Sequence, residues 1–282
     1  MTVYLADPSA NGIACARIEP MSRGRPAPAP RAVAILNQKG GVGKTTVTLG
    51  LASAAAAARR KVLVVDLDPQ GSSTWVLGHD GGDDAPDVAD VMAGAALDEA
   101  IVTSPWSDRI DLVPGGQQTS TAVDEDGTTR LRAALAALPP DRYEAIMVDC
   151  PPTLGGPTLS ALTSARHALI VVDPSALGLR GIGSVADAVD GVWEGANPDL
   201  DLCGVVVNRV PAISVEAERR IDELGRIVGR GTIWKPPVPQ RVIVNQALGE
   251  RRPIHAYGSR AADVVHAFDA LWTRLRRVLR AA

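Results

Sequence analysis

The sequence predicts a single α/β domain, a mostly parallel central sheet with helices on both faces. Short β-branched runs alternate with helical segments along the chain, the pattern that winds a parallel sheet. Several of those runs are apolar nearly throughout, as strands buried on both faces require. A length of 282 residues suffices for one full core of this kind.

The elements follow in order. Residues 1–30 contain Pro, Gly and Ser without periodicity and finish in RGRPAPAPR, which reads as a weakly ordered tail before a domain over residues 31–282. AVAIL at 32–36 is the first strand, and an Ala-rich helix beginning near Lys44 follows it. KVLVVDLD at 61–68 is the second strand. The acidic stretch His79–Pro86 is expected as a solvated connection. RIDLVPG at 109–115, a helix near Thr129–Leu138, and the strands EAIMVDC, HALIVVD and LCGVVVNRV complete the alternation. No internal repeat interrupts it.

Composition removes several classes of function. No apolar run approaches the roughly 20 residues that span a bilayer, because the Ala-rich stretch from Leu49 ends at Arg59 and Arg60. No secretory leader is visible, and Cys15, Cys150 and Cys203 stand far apart without metal-ligand spacing, so a reducing, cytoplasmic setting is expected. The net charge of −3 is unevenly spread: from Val205 onward there are fourteen Arg and Lys against seven Asp and Glu. The basic charge therefore sits in the last quarter of the chain.

Ligands of parallel sheets bind at the carboxyl ends of the strands, and the chemistry-bearing motifs fall there. AVAILNQKGGVGKTT runs strand, Gly-rich turn, helix, the context of a phosphate loop in a P-loop nucleotidase. Gly40, Gly41 and Gly43 let backbone N–H groups wrap phosphate oxygens, aided by the positive end of the following helix. Val42 and Thr46 complete the cradle. Lys44 neutralises β and γ phosphates, and the Thr45 hydroxyl is placed for Mg²⁺. Asp66 and Asp68, two apart in VVDLDPQ, project to the same face at a strand end. Asp66 is expected either as support to the metal shell or as a cap on the following turn. Asp149 closes a hydrophobic strand at the Walker B position, where a buried carboxylate holds Mg²⁺. Gly155 and Gly156 are expected to loosen the segment after it.

The simple phosphate-loop pattern fails at its first position, Gln38, which is followed by an extra lysine, Lys39. QKGGVGKTT resembles the deviant Walker A motif of the ParA/MinD superfamily. NQKGGVGKTT with DLDPQGSST and DCPPTLGGPTLSAL is similar to ParA proteins that partition DNA. The resemblance implies an Mg-ATP hydrolase that forms an ATP-bound sandwich dimer; no arginine finger is evident in the sequence, so slow turnover without a stimulating partner is expected. In it Lys39 reaches the partner's nucleotide, Lys44 holds phosphate and Asp68 lies by the attacking water. Asn208 and the Pro236–Pro239 stretch, including Pro237, correspond to where relatives hold adenine, although an Asn at a strand end also caps.

The same resemblance implies non-specific double-stranded DNA and a ParB-like centromere-binding protein as partners, with the protein on the nucleoid. Arg241, Arg251, Arg252 and Arg260 fall where relatives present arginines to DNA, and a solvated basic face is the alternative for each. The short segment before the domain leaves no room for an operator-reading module. The last helix, residues 262–282, places Val264, Val265, Phe268, Leu271, Trp272, Leu275, Val278 and Leu279 on one face. It is expected to dock on the domain; a MinD-like membrane-positioning ATPase is the alternative reading. A nitrogenase-type iron protein lacks its paired cysteines here, and three unclustered tyrosines disfavour a tyrosine kinase.

Overall fold

A computed structural model describes residues 31–80, 85–120, 127–175 and 181–281. The tail expected over residues 1–30 and part of the acidic stretch after His79 lie outside them. Seven strands form one sheet: β1 (Ala32–Leu36), β2 (Val62–Asp66), β3 (Val102–Thr103), β4 (Ile110–Val113), β5 (Ala145–Asp149), β6 (His167–Val172) and β7 (Asp201–Val207). Their order is β3-β4-β2-β5-β1-β6-β7. All neighbours pair in parallel except β3, a two-residue antiparallel strand on β4. β3 gives no signal in the sequence because it is too short to carry a pattern. The mostly parallel sheet is otherwise as expected, and every residue of β1, β2, β4, β5 and β6 is buried.

Among the described residues the helices are α1 (Lys44–Ala57), α2 (Ser72–Val76), α3 (Val88–Ala93), α4 (Leu97–Ala100), α5 (Gly127–Ala136), α6 (Gly156–Ser164), α7 (Ile182–Glu194), α8 (Val215–Val228), α9 (Val242–Gly249) and α10 (Ala262–Ala281). Two apolar cores flank the sheet. Leu131, Leu135, Leu162, Val185 and Leu224 cover one face. On the other, Leu49, Leu51, Phe268, Leu271 and Leu275 bring α1 and α10 against the strands.

α1 has no polar face because it lies between the sheet and α10, and eleven of its fourteen residues are buried. Gly50 makes that approach possible: a Cβ there would stand 2.3 Å from the Phe268 ring. α10 buries Val264, Ala267, Phe268, Leu271, Trp272, Leu275 and Leu279, so it docks on the domain as its periodicity requires. The 3₁₀ segment Ile254–Ala261 before it is tied down by His255, whose ring meets Ser53 Oγ of α1 at 2.6 Å and Asp269 of α10 at 3.1 Å.

Candidate functional site

β1, β2 and β5 lie side by side, so their carboxyl ends deliver three segments to one point. The loop after β1 curls through left-handed glycines, Gly41 at φ +77° and Gly43 at φ +92°. At Gly43 no other residue fits, because a Cβ would lie 2.1 Å from Asn208 Nδ2. Asn208, at the end of β7, donates to the Val42 carbonyl at 2.8 Å, and Arg209 Nη1 donates to the Gly41 carbonyl. Asn37 braces the loop's start by donating to Val171 O at 2.6 Å and accepting from the Lys39 amide at 2.9 Å.

The loop opens on a cleft of about 490 Å³ bordered by Gly40, Gly43, Lys44, Thr45, Asp68 and Arg209. Lys44 is 6% exposed, and its ammonium makes no hydrogen bond among the described residues. Burial holds its pKa below the ordinary lysine value, against the opposing pull of Asp149 and Asp68. A buried, unpaired cation beside free loop amides is a site prepared for an anion.

Asp149 ends β5 fully buried, and it accepts from Thr45 Oγ1 at 2.8 Å and Ser73 Oγ at 2.7 Å. Burial raises its pKa, and those two hydroxyls work against the rise. Asp66, in register beside Asp149, is like it fully buried and outside the residues that border the cleft: it accepts from the Asp68 amide at 3.1 Å and from both the amide and hydroxyl of Thr74 at 2.8 Å. Its pKa is raised by burial first and by the Asp149 charge second. Asp68 faces the cleft, with one oxygen accepting from the Gln70 amide at 3.0 Å.

Lys39 points away from its own loop. Its ammonium donates to Asp173 at 2.8 and 3.0 Å and to Ser175 Oγ at 2.9 Å, and its side chain is 27% exposed. A second cavity of about 170 Å³ adjoins the cleft, bordered by Thr46, Asn208, Arg209, Pro239, Gln240 and Arg241. Asn208 is thus brought to the loop and Pro239 to the second cavity, whereas Pro237 borders neither cavity.

The four arginines near the carboxyl end are each engaged within the chain. Arg241 pairs with Asp263 at 2.6 Å, and Arg251 pairs with Asp80 at 2.6 Å while stacking on Trp75. Arg252 and Arg260 flank the Tyr257 ring. Sequence reasoning missed Ser73, Arg209 and Asp173. Ser73 sits in the quoted DLDPQGSST and Arg209 directly after Asn208, but only the fold shows which polar groups of those segments turn inward.

A family model described as AAA domain matches residues 30–202. Over 239 residues the chain is 33% identical to the sporulation initiation inhibitor protein Soj of Bacillus subtilis, covering 82% of this chain and 94% of that protein. It is 30% identical over 232 residues to the chromosome partitioning protein ParA of Myxococcus xanthus, covering 80% and 81%. Among solved structures, cobyrinic acid a,c-diamide synthase from Mycobacterium smegmatis with bound ATP analogue and magnesium matches at TM-score 0.71 and 28% identity, covering 86% of this chain and 94% of that one.

Proposed function

We propose the following cycle for this chain, which belongs to the ParA/MinD superfamily of P-loop ATPases and stands within it among the partitioning ATPases. Mg-ATP fills the cleft, two copies close face to face over their nucleotides, the dimer holds DNA without sequence preference, and hydrolysis stimulated by a ParB-like partner releases it. The nucleoid is then where the protein works.

Lys39 carries this reading. A lysine in its own phosphate loop would ordinarily serve that loop, yet here Lys44 takes the cleft while Lys39 waits at the rim on Asp173 and Ser175. A partly exposed ammonium at the edge of a nucleotide site is placed to serve a second nucleotide, one carried by another copy.

The residues present fit the ligand. Lys44 meets phosphate charge in the cleft, and loop amides orient the phosphoryl oxygens. Among the described residues no group of three His, Cys, Asp or Glu side chains is placed to hold a metal ion by itself. A divalent ion would therefore rest on Thr45 and Asp149, completing its shell with phosphate oxygens and water, as Mg²⁺ does. When bound, Mg²⁺ supplies charge neutralisation of the transferring phosphoryl group. Asp68 positions the water for attack in line with the departing group. No covalent step on the protein is needed, and the rate comes from placement and charge.

A membrane-positioning role is less well supported. No described helix is long and apolar enough to cross a membrane, and the apolar face of α10 is spent on the core.

The test is binding to a non-specific duplex with ADP, ATP or a slowly hydrolysed analogue, across salt, in wild type and Lys39→Ala. An ATP-dependent increment in affinity that the substitution removes is the expected result. Equal affinity in all nucleotide states, or an increment indifferent to the substitution, would overturn the cycle while leaving the nucleotide site intact.

A further inference from the structure

An apolar groove lies on the face of the sheet opposite α10, between α3, the turn into α4, and α5. It holds about 380 Å³ and is bordered by Val91, Leu97, Ala133, Ala134, Ala137 and Leu138. Three of these, Val91, Leu97 and Leu138, belong to the core beneath. The solvent side of a helix ordinarily carries long polar side chains. Along α5 and just past its end Ala133, Ala136 and Ala137 stand exposed in their place, so α5 leaves the groove uncovered.

Both ends of the groove are polar. At one, Arg130 Nη1 donates to Met92 O at 3.3 Å and to Ala93 O at 3.2 Å. At the other, Asp98 pairs with Arg142 while its side chain stays 69% exposed. α5 leads directly into β5, so the Asp98 end faces the pole where the parallel strands begin. β1 begins there too, beside β5: Ile146 N donates to Arg31 O at 2.8 Å, and the Arg31 guanidinium stands 4.0 Å from Asp141. Asp141 is the neighbour of Arg142, so the chain before Arg31 enters the domain at the Asp98 end of the groove.

We propose that this groove is a docking site for the chain's own amino-terminal segment, with residues 13–18 as the occupant. Ile13, Ala14, Cys15, Ala16 and Ile18 are apolar and the run is broken only by Arg17. The charges agree with the direction of entry. Arg17 and Glu19 lie on the domain side of the run, where Asp98 and Arg142 offer the opposite signs at the mouth. Val3–Ala6, the other apolar run of the segment, is followed by Asp7, of the same sign as Asp98.

The connection is long enough. Residues 19–30 separate Ile18 from Arg31, and four of the twelve are proline. A Pro-rich chain covers about 3.1 Å per residue, roughly 37 Å here, whereas the ten residues of α5 rise about 15 Å. A tether of this kind holds its end at an effective concentration on the order of millimolar. A modest apolar contact is then populated within one chain, and a second copy or a partner's helix at micromolar concentration competes poorly for the same groove. The cleft shares no residue with it.

Cys15 makes the seat testable by disulfide trapping in the full chain. In a Cys203→Ser background a second thiol is introduced in the groove by Ala137→Cys or, as control, by Asp199→Cys, exposed just before β7 and two strands from β1. A disulfide needs its Cα atoms within about 7 Å, so the rate of closure in a glutathione buffer reads proximity, and peptide masses identify the product. Cys15 is expected to close onto position 137 about tenfold or more faster than onto position 199. Ile13→Ser with Ile18→Ser should lower the first rate to the second and leave the second unchanged. Both substitutions precede β1, so the loss of rate does not arise from unfolding of the sheet. Equal rates at the two positions, or a groove rate indifferent to the serines, overturn the proposal. So does a main product that links two chains, which would give the groove to a second copy. The measurement is made without nucleotide, and none of its outcomes bears on the ATP-gated cycle.

Discussion

Gly43 shows how sharply a single residue of the loop is constrained. Its φ of +92° and the 2.1 Å approach of Asn208 to an added Cβ predict that Gly43→Ala costs roughly 1–3 kcal/mol in strain. Titration with a fluorescent ATP analogue should show affinity falling by about tenfold or more, since the loop amides lose their aim. Lys39 leads to the opposite kind of change. Its ion pair with Asp173 must open before the ammonium can serve a second nucleotide, and such pairs contribute about 0.2–1 kcal/mol. Asp173→Asn should therefore tighten ATP-dependent self-association by about twofold to fivefold, read by sedimentation. His167 is buried with neither ring nitrogen bonded, and burial lowers its pKa to about 4. The unfolded chain takes up that proton first, so stability attributable to the neutral ring is full above about pH 6.5 and is lost as pH falls towards 4. Denaturation of His167→Leu should show a flatter acid limb than wild type across that window, and parallel limbs would contradict the assignment. At this scale the glycines, Lys44, Thr45 and Asp149 are legible in the sequence because their types and spacing are tied to phosphate chemistry. The turn-capping contacts of Asp66 and the partner of Lys39 are not, because they depend on Thr74 and Asp173, brought near only by the fold.

At the scale of elements, the buried strands and the last helix are readable because continuous apolar runs and a 3.6-residue period survive any tertiary context. β3 and α2 are too short for either signal. The docking of α10 on α1 has a measurable weight. Phe268 is 1% exposed and fills the space above Gly50, so Phe268→Ala should cost about 3–5 kcal/mol, and Gly50→Val should destabilise through overpacking by about 1–3 kcal/mol. Thermal unfolding checks both. Removal of residues 263–282 is expected to yield an unfolded or aggregating chain; a folded truncation would mean that α10 is held by something other than the core.

On the scale of the whole molecule, parallel winding sorts chemistry by pole. Carboxyl strand ends gather the phosphate loop with Asp66, Asp68 and Asp149, while Arg31, Lys61, Arg109 and Arg166 precede strands at the amino ends. The first pole is legible in sequence because its residues form motifs. The second is not, because single cations preceding separate strands become neighbours only through the order β4-β2-β5-β1-β6. The central claim is that the cleft holds ATP and that Lys39 makes nucleotide state control association between copies. The most direct measurement is the mass in solution by sedimentation, with Mg²⁺ and either ADP or a slowly hydrolysed ATP analogue, for wild type and Lys39→Ala. A doubling of mass confined to wild type with the triphosphate is the result expected. A mass unchanged by nucleotide, or a dimer that forms equally well without Lys39, would contradict it.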